Sequence, residues 1–188
     1  MSRAALIVGA GDATGGAIAK AFAREGYVAC VNRRARNADQ LEALAQSIRD
    51  EGCKAHAYPA DARIEDDVVA MVDAIERDVG PIEVAVFNIG ANVNFSVLDM
   101  TAQVYRKVWE MAAFAGFLMA RESARRMVER QSGTIIFTGA TASIRGGKGF
   151  SAFSGAKGAL RMLAQSMARE LGPQNIHVAH VIIDGGID

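Results

Sequence analysis

Proline is scarce in this sequence, with only 3 in 188 residues, while apolar residues make up 51%. That balance excludes a disordered or proline-rich chain. Cysteine is limited to Cys30 and Cys53, which sit in apolar or helix-end surroundings. Two cysteines make neither a disulfide framework nor a metal site, so no metal is expected and a reducing, cytoplasmic setting is. Neither sign of charge predominates, because Lys+Arg and Asp+Glu are both 21. A general nucleic-acid binder needs a basic excess, and nucleic acid is therefore not an expected partner. Long hydrophobic runs are missing too. Met111–Ala120 would cover half a bilayer at most, and Leu6–Val8 is too short for the apolar part of a signal peptide, so no membrane association is expected.

What remains is enough for one domain with a sizeable core. Strand-like and helix-like segments alternate along it. Strands are expected at Ala4–Val8, Tyr27–Val31, Ala55–Tyr58, Val84–Phe87, Gly133–Thr138 and Ile176–Ile183. Helices are expected at Ala13–Arg24, from an Asn37 cap to Asp50 with Gln40 completing a capping box, and at Ile64–Asp78, Thr101–Arg130 and Phe150–Leu171. A bend near Glu110 is expected in the fourth. The strands read as continuously apolar, which suits a parallel sheet covered on both faces. The expected fold class is α/β, a single doubly wound, Rossmann-like domain over residues 1–188. In such sheets ligands bind at the carboxyl ends of the strands, so the loops starting at Gly9, Asn32, Asp61, Asn88, Gly139 and Asp184 should share one edge.

The run Leu6-Ile-Val-Gly9-Ala10-Gly11-Asp12-Ala13-Thr14-Gly15 reads as a buried strand, a tight turn and a helix start. It points backbone N–H groups and the positive helix end at one spot, where a dinucleotide pyrophosphate fits. Gly9, Gly11, Asp12, Thr14 and Gly15 are the candidate contacts. An NAD site usually ends its second strand in an acid that holds the ribose hydroxyls. This chain has Asn32-Arg33-Arg34 instead, so Arg33 and Arg34 point to NADP over NAD.

The glycine turn resembles that of the short-chain dehydrogenases/reductases, with Ala13 at the place of the family's middle glycine. Asp61-Ala62 resembles that family's adenine contact. Phe87-Asn88-Ile89-Gly90 is similar to its Asn-Asn-Ala-Gly element, which makes Asn88 and Gly90 cofactor candidates. Phe153-Ser-Gly-Ala-Lys157 is similar to its Tyr-x-x-x-Lys. The resemblance implies a hydride transfer between a nicotinamide and a small carbonyl or alcohol substrate. It also implies pairing of the fourth and fifth helices of two copies, hence a homodimer or homotetramer. Its Asn, Ser, Tyr and Lys positions fall on Ala112, Ala140, Phe153 and Lys157. Only Lys157 remains, to bind the ribose and to serve catalysis. A phenyl ring cannot donate a proton, and a general acid is typically worth 10²–10⁴-fold in rate. The alternative is therefore a catalytically inactive nucleotide-binding sensor or structural subunit.

Thr138, Thr141, Ser143, Ser151 and Ser154 lie near the gaps, Ser154 being expected on the helix surface. His177 and His180 are spaced to opposite faces of a strand and do not chelate one ion. Met111, Met119, Met127, Met162 and Met167 read as gap-fillers, and Trp109 as packing. The family continues with a substrate-covering segment and a further strand, where this sequence ends at Ile183-Asp184-Gly185-Gly186-Ile187-Asp188.

Overall fold

A computed structural model describes residues 2–185; Met1, Gly186, Ile187 and Asp188 lie outside the described residues. Six strands form one parallel sheet: β1 (Ala4–Val8), β2 (Val28–Arg33), β3 (Lys54–Pro59), β4 (Ile82–Phe87), β5 (Gly133–Ala140) and β6 (Ile176–Ile183). Their spatial order is β3-β2-β1-β4-β5-β6. The chain winds outward from β1 to β3 and then restarts on the other side of β1. That reversal opens a crevice above β1 and β4.

Six α-helices cover the sheet: α1 (Thr14–Arg24), α2 (Ala38–Asp50), α3 (Glu65–Asp78), α4 (Ala102–Trp109), α5 (Ala115–Arg130) and α6 (Ser151–Leu171). Side chains alternate along each strand, so the sheet feeds two cores. Leu6, Val8, Phe87 and Phe137 pack with Met71 and Ile75 of α3, Leu118 of α5 and Leu160 of α6. Ile7, Val31 and Val86 point the other way and meet Ala19 of α1 and Leu41, Ala45 and Ile48 of α2. Complete burial of a side chain such as Leu41 or Ile75 contributes about 1.5–3 kcal/mol.

Two local expectations change, and the expected bend near Glu110 is present. The strands are not all buried: β3 and β6 are the sheet's outer strands, and Lys54, His56 and Pro59 of β3 are exposed. Asn37 makes no side-chain cap, because a 3-10 turn at Ala35–Asn37 feeds directly into α2. The bend near Glu110 is a π-turn at Glu110–Phe114 that joins α4 to α5. Trp109 stacks on Phe114 with ring centroids 5.8 Å apart, yet it stays 43% exposed, and Met162 is also exposed. No helix among the described residues is long and apolar enough to cross a membrane.

Candidate active site

The turn after β1 is built by exclusion. Gly9 has φ +88, and a Cβ there would sit 2.8 Å from the Asn88 carbonyl carbon. A Cβ on Gly15 would lie 2.4 Å from the Gly9 oxygen and 2.7 Å from the Ala10 Cα. Backbone thus packs on backbone at both positions, and only glycine permits it. Asn88 ties β4 to the turn by donating from Nδ2 to the Gly9 oxygen at 3.1 Å. No side chain caps the N-terminus of α1, and its first turn holds no acid. Its N–H groups and positive end are therefore left for an anion.

Two clefts meet at Asn88 and Gly90 along this edge. The smaller, about 230 Å³, is lined by Gly9, Gly11, Arg33, Arg34, Asp61, Ala62 and Arg63, among others. Asn32 sets its floor by donating to the carbonyls of Tyr58 at 2.8 Å and Ala60 at 3.1 Å. The three arginines differ in freedom. Arg33 pairs with Asp12 at 3.1 Å. Arg63 grips both oxygens of Asp61 and holds that carboxyl below its usual range. Arg34 makes no ion pair with a described residue, and partial burial with Arg36 and Arg63 nearby disfavours its charged form. A guanidinium crowded by cations gains when an anion arrives. The donor set and the uncapped helix end therefore fit a dinucleotide phosphate backbone, with Arg34 the freest cation at the ribose end.

The larger cleft, about 750 Å³, runs from Thr14, Asn88 and Gly90 past Thr138 to Ala140, Phe153, Lys157 and Asp184. Lys157 is 3% exposed and donates to the carbonyls of Ile89 at 3.0 Å and Thr138 at 2.9 Å. Burial pushes its ammonium down from 10.5 to about 8. The Phe153 ring centroid lies 5.9 Å from Nζ and faces the cleft. Ala140 carries no hydroxyl, and its N–H donates to Ser143 Oγ at 3.0 Å. Ala112 is fully buried in the π-turn among Val108, Ala113, Ala152 and Ala156.

Ser154 does not sit on the helix surface. It lines the larger cleft, and its Oγ is shut off from water without a hydrogen-bond partner. Met111 is more than a gap-filler, since it lines the smaller cleft. Asn92, Arg145 and Phe150 also line the larger cleft and were missed. Their loops carry no motif, and only their chain distance from Asn88 and Ala140 could have flagged them. His180 packs against Gly139, and burial followed by the nearby Lys157 and Arg161 charges lowers its imidazole. Cys30 and Cys53 are free thiols, and burial pushes Cys30 up to about 12.

A doubly wound sheet with this glycine turn at its switch point is the architecture of dinucleotide-binding domains. The chain belongs to the short chain dehydrogenase family, whose model matches residues 3–187. It is 32% identical over 93% of its length to a 2-dehydro-3-deoxy-D-gluconate 5-dehydrogenase of Formosa agariphila and 30% identical over 92% to a 5-keto-D-gluconate 5-reductase of Escherichia coli. It spans about two thirds of those relatives, 66% and 67% of their lengths. A short-chain dehydrogenase from Rhodopseudomonas palustris shares 52% identity and superimposes with a TM-score of 0.93, over 97% of this chain and 85% of that one.

Proposed function

We propose that this chain is an NADP-dependent oxidoreductase of the short-chain type, transferring hydride between the nicotinamide and a carbonyl or alcohol carbon. The bound cofactor supplies or accepts the hydride. Arg34, with Arg33 beside it, accounts for the preference for the 2′-phosphate. The glycine turn and α1 hold the pyrophosphate, and Asp61 and Ala62 border the adenine. The single observation that carries the reading is Lys157, held by two backbone carbonyls where the clefts meet.

Phe153 stands where the family's phenol would act and has no proton to give. Lys157 is the ionisable group within reach, and a value of about 8 puts its proton in a useful range near neutrality. Reduction consumes a hydride and a proton. We assign the proton to Lys157 through one water, with Phe153 walling off the rest of the solvent. The sugar acids named for the relatives make polyhydroxy or oxo acids the first substrates to try. The oxidoreductase reading is favoured over an inactive sensor by these relatives. Pairing of α5 and α6 with those of a second copy, in a cytoplasmic setting, completes it.

The test is turnover of NADPH and NADH with a panel of ketones and aldehydes, and of NADP⁺ with the corresponding alcohols. Oxidation of NADPH that depends on a carbonyl supports the proposal. Tight NADPH binding without turnover across the panel replaces it with the sensor reading.

A further inference from the structure

The charged groups around the larger cleft are not all matched. Lys157 directs two N–H bonds into the fold, to Ile89 and Thr138. Asp184 is the one carboxylate among the described lining residues, and it accepts a hydrogen bond from Thr141 Oγ1. Arg145 also lines the cleft, and its guanidinium has neither a hydrogen bond nor an ion pair with a described residue.

The loop that carries Arg145, exposed from Ile144 to Lys148, is anchored at its two ends. The Arg145 N–H donates to the Thr141 oxygen at 3.1 Å, continuing the 3-10 turn Thr141–Ser143. Farther along, Phe150 N donates to the Gly147 oxygen at 3.1 Å, and the Gly149 oxygen accepts from Phe95 N at 2.8 Å. Gly149 has φ +83 and presses on Asn94, where a Cβ would lie 2.6 Å from Oδ1. A side chain without partners thus stands on a loop tied to a second segment of the cleft. Arg145 is exposed at the rim of the cleft, where a guanidinium without partners is free to meet an incoming anion.

We propose that Arg145 binds the carboxylate of the substrate, which is a short oxo acid or the corresponding hydroxy acid. The inference rests on the hydride-transfer reading for which cleft takes the substrate. A planar guanidinium matches a carboxylate through two parallel N–H bonds. One exposed guanidinium, with the Asp184 carboxylate lining the same cleft, suits a singly charged group better than a doubly charged phosphate. Phe150, Phe153 and Ile183 line the same cleft and offer apolar contact to a short carbon chain between the carboxylate and the carbonyl. In the reaction the carbonyl carbon gains hydride from NADPH and its oxygen gains the proton. The carboxylate is unchanged and serves only to orient.

The experiment pairs 3-, 4- and 5-oxo acids with their methyl esters, which keep the ketone and remove the charge. Calorimetry measures their binding to the full chain with NADP⁺ present, and NADPH oxidation measures turnover. In the wild type, at least one acid should bind about tenfold or more tightly than its ester. Arg145→Met should bring that ratio near one while NADPH affinity holds, and Arg145→Lys should restore part of it. The proposal is overturned if no acid binds at millimolar concentration, if the ester binds equally well, or if Arg145→Met keeps the preference. Charge-selective binding without any turnover would uphold Arg145 and remove the hydride-transfer reading. Turnover without charge selectivity would do the reverse.

Discussion

Replacing Lys157 by Met should leave its clearest mark on how stability varies with pH. Lowering the ammonium from 10.5 to about 8 costs roughly 3 kcal/mol in its charged form. The sign follows from proton counting. Below pH 8 both folded and unfolded chains hold the proton, and the folded state carries the full penalty. Between pH 8 and 10.5 the unfolded chain still binds the proton that the folded chain has lost, so stability rises with pH. Lys157→Met removes that contribution. It also leaves the carbonyls of Ile89 and Thr138 without their donor, at about 1–3 kcal/mol for each that finds no water. The two effects oppose each other at neutral pH, so the absolute stability is a poor readout and the slope is the good one. Urea unfolding at intervals from pH 7 to 10.5 should show the wild type gaining on the variant by roughly 3 kcal/mol. Parallel curves would refute a depressed lysine. The same group predicts that carbonyl reduction falls as pH rises through about 8, whereas a rate level to pH 9.5 would remove Lys157 as the proton source.

Arg34→Ala should weaken NADPH about tenfold or more and NADH little, with Arg33→Ala weaker in effect because Asp12 already holds that side chain. Fluorescence titration of both cofactors decides it, and equal losses for NADPH and NADH would count against the 2′-phosphate assignment. Gly15→Ala puts a methyl 2.4 Å from the Gly9 oxygen, so a lower Tm and lost cofactor binding are expected. Gly11→Ala meets nothing within 4 Å and should leave Tm unchanged; identical scans for the two variants would contradict this. Phe153→Tyr with Ala140→Ser should raise carbonyl reduction at least tenfold, about 1.4 kcal/mol of barrier, at near-constant NADPH affinity. No gain across a broad panel would mean that the cleft is not a latent site of the usual kind.

The sheet and its helices were legible because burial on both faces leaves an apolar run whatever the neighbours do. Thus β1, β2 and β4 read correctly from composition alone. The outer strand β3 was placed, at Ala55–Tyr58, but its burial was not legible, since Lys54 and His56 owe their exposure to having no strand beyond them. The glycine turn was legible because backbone contacts at Gly9 and Gly15 leave no substitute. Asn37 misled because a cap depends on the φ and ψ of the preceding turn, which residue type does not report. Ser154 misled for a related reason. Helical spacing shows which residues share a face, but not that a loop from another element closes over that face to form a cleft. Arg145 and Asn92 belong to such loops and carry no periodicity to read.

On the proposed correspondence of Ala112, Ala140, Phe153 and Lys157 with the family's four site positions, the three small or apolar residues and the one cation follow a single physical pattern. Ala112 has no exposure, and its neighbours Val108, Ala113, Ala152 and Ala156 present only methyl-bearing side chains. No polar side chain of that cluster is orphaned. The π-turn at Glu110–Phe114 persists without an asparagine, so packing of α4 and α5 against α6, with Trp109 on Phe114, suffices to set it. Ala140 still gives its N–H to Ser143, and Phe153 fills its place against the lysine. Lys157 is different. Its two bonds join the segment after β4 to the end of β5, across the mouth of the crevice where the strands diverge. Removing it would leave two carbonyls unpaired and unfix the edge on which any dinucleotide must lie. The lysine is therefore held by structure, whatever it does in chemistry. On the proposed correspondence, changes at Ala112, Ala140 and Phe153 are expected to alter the reaction without disturbing the binding edge.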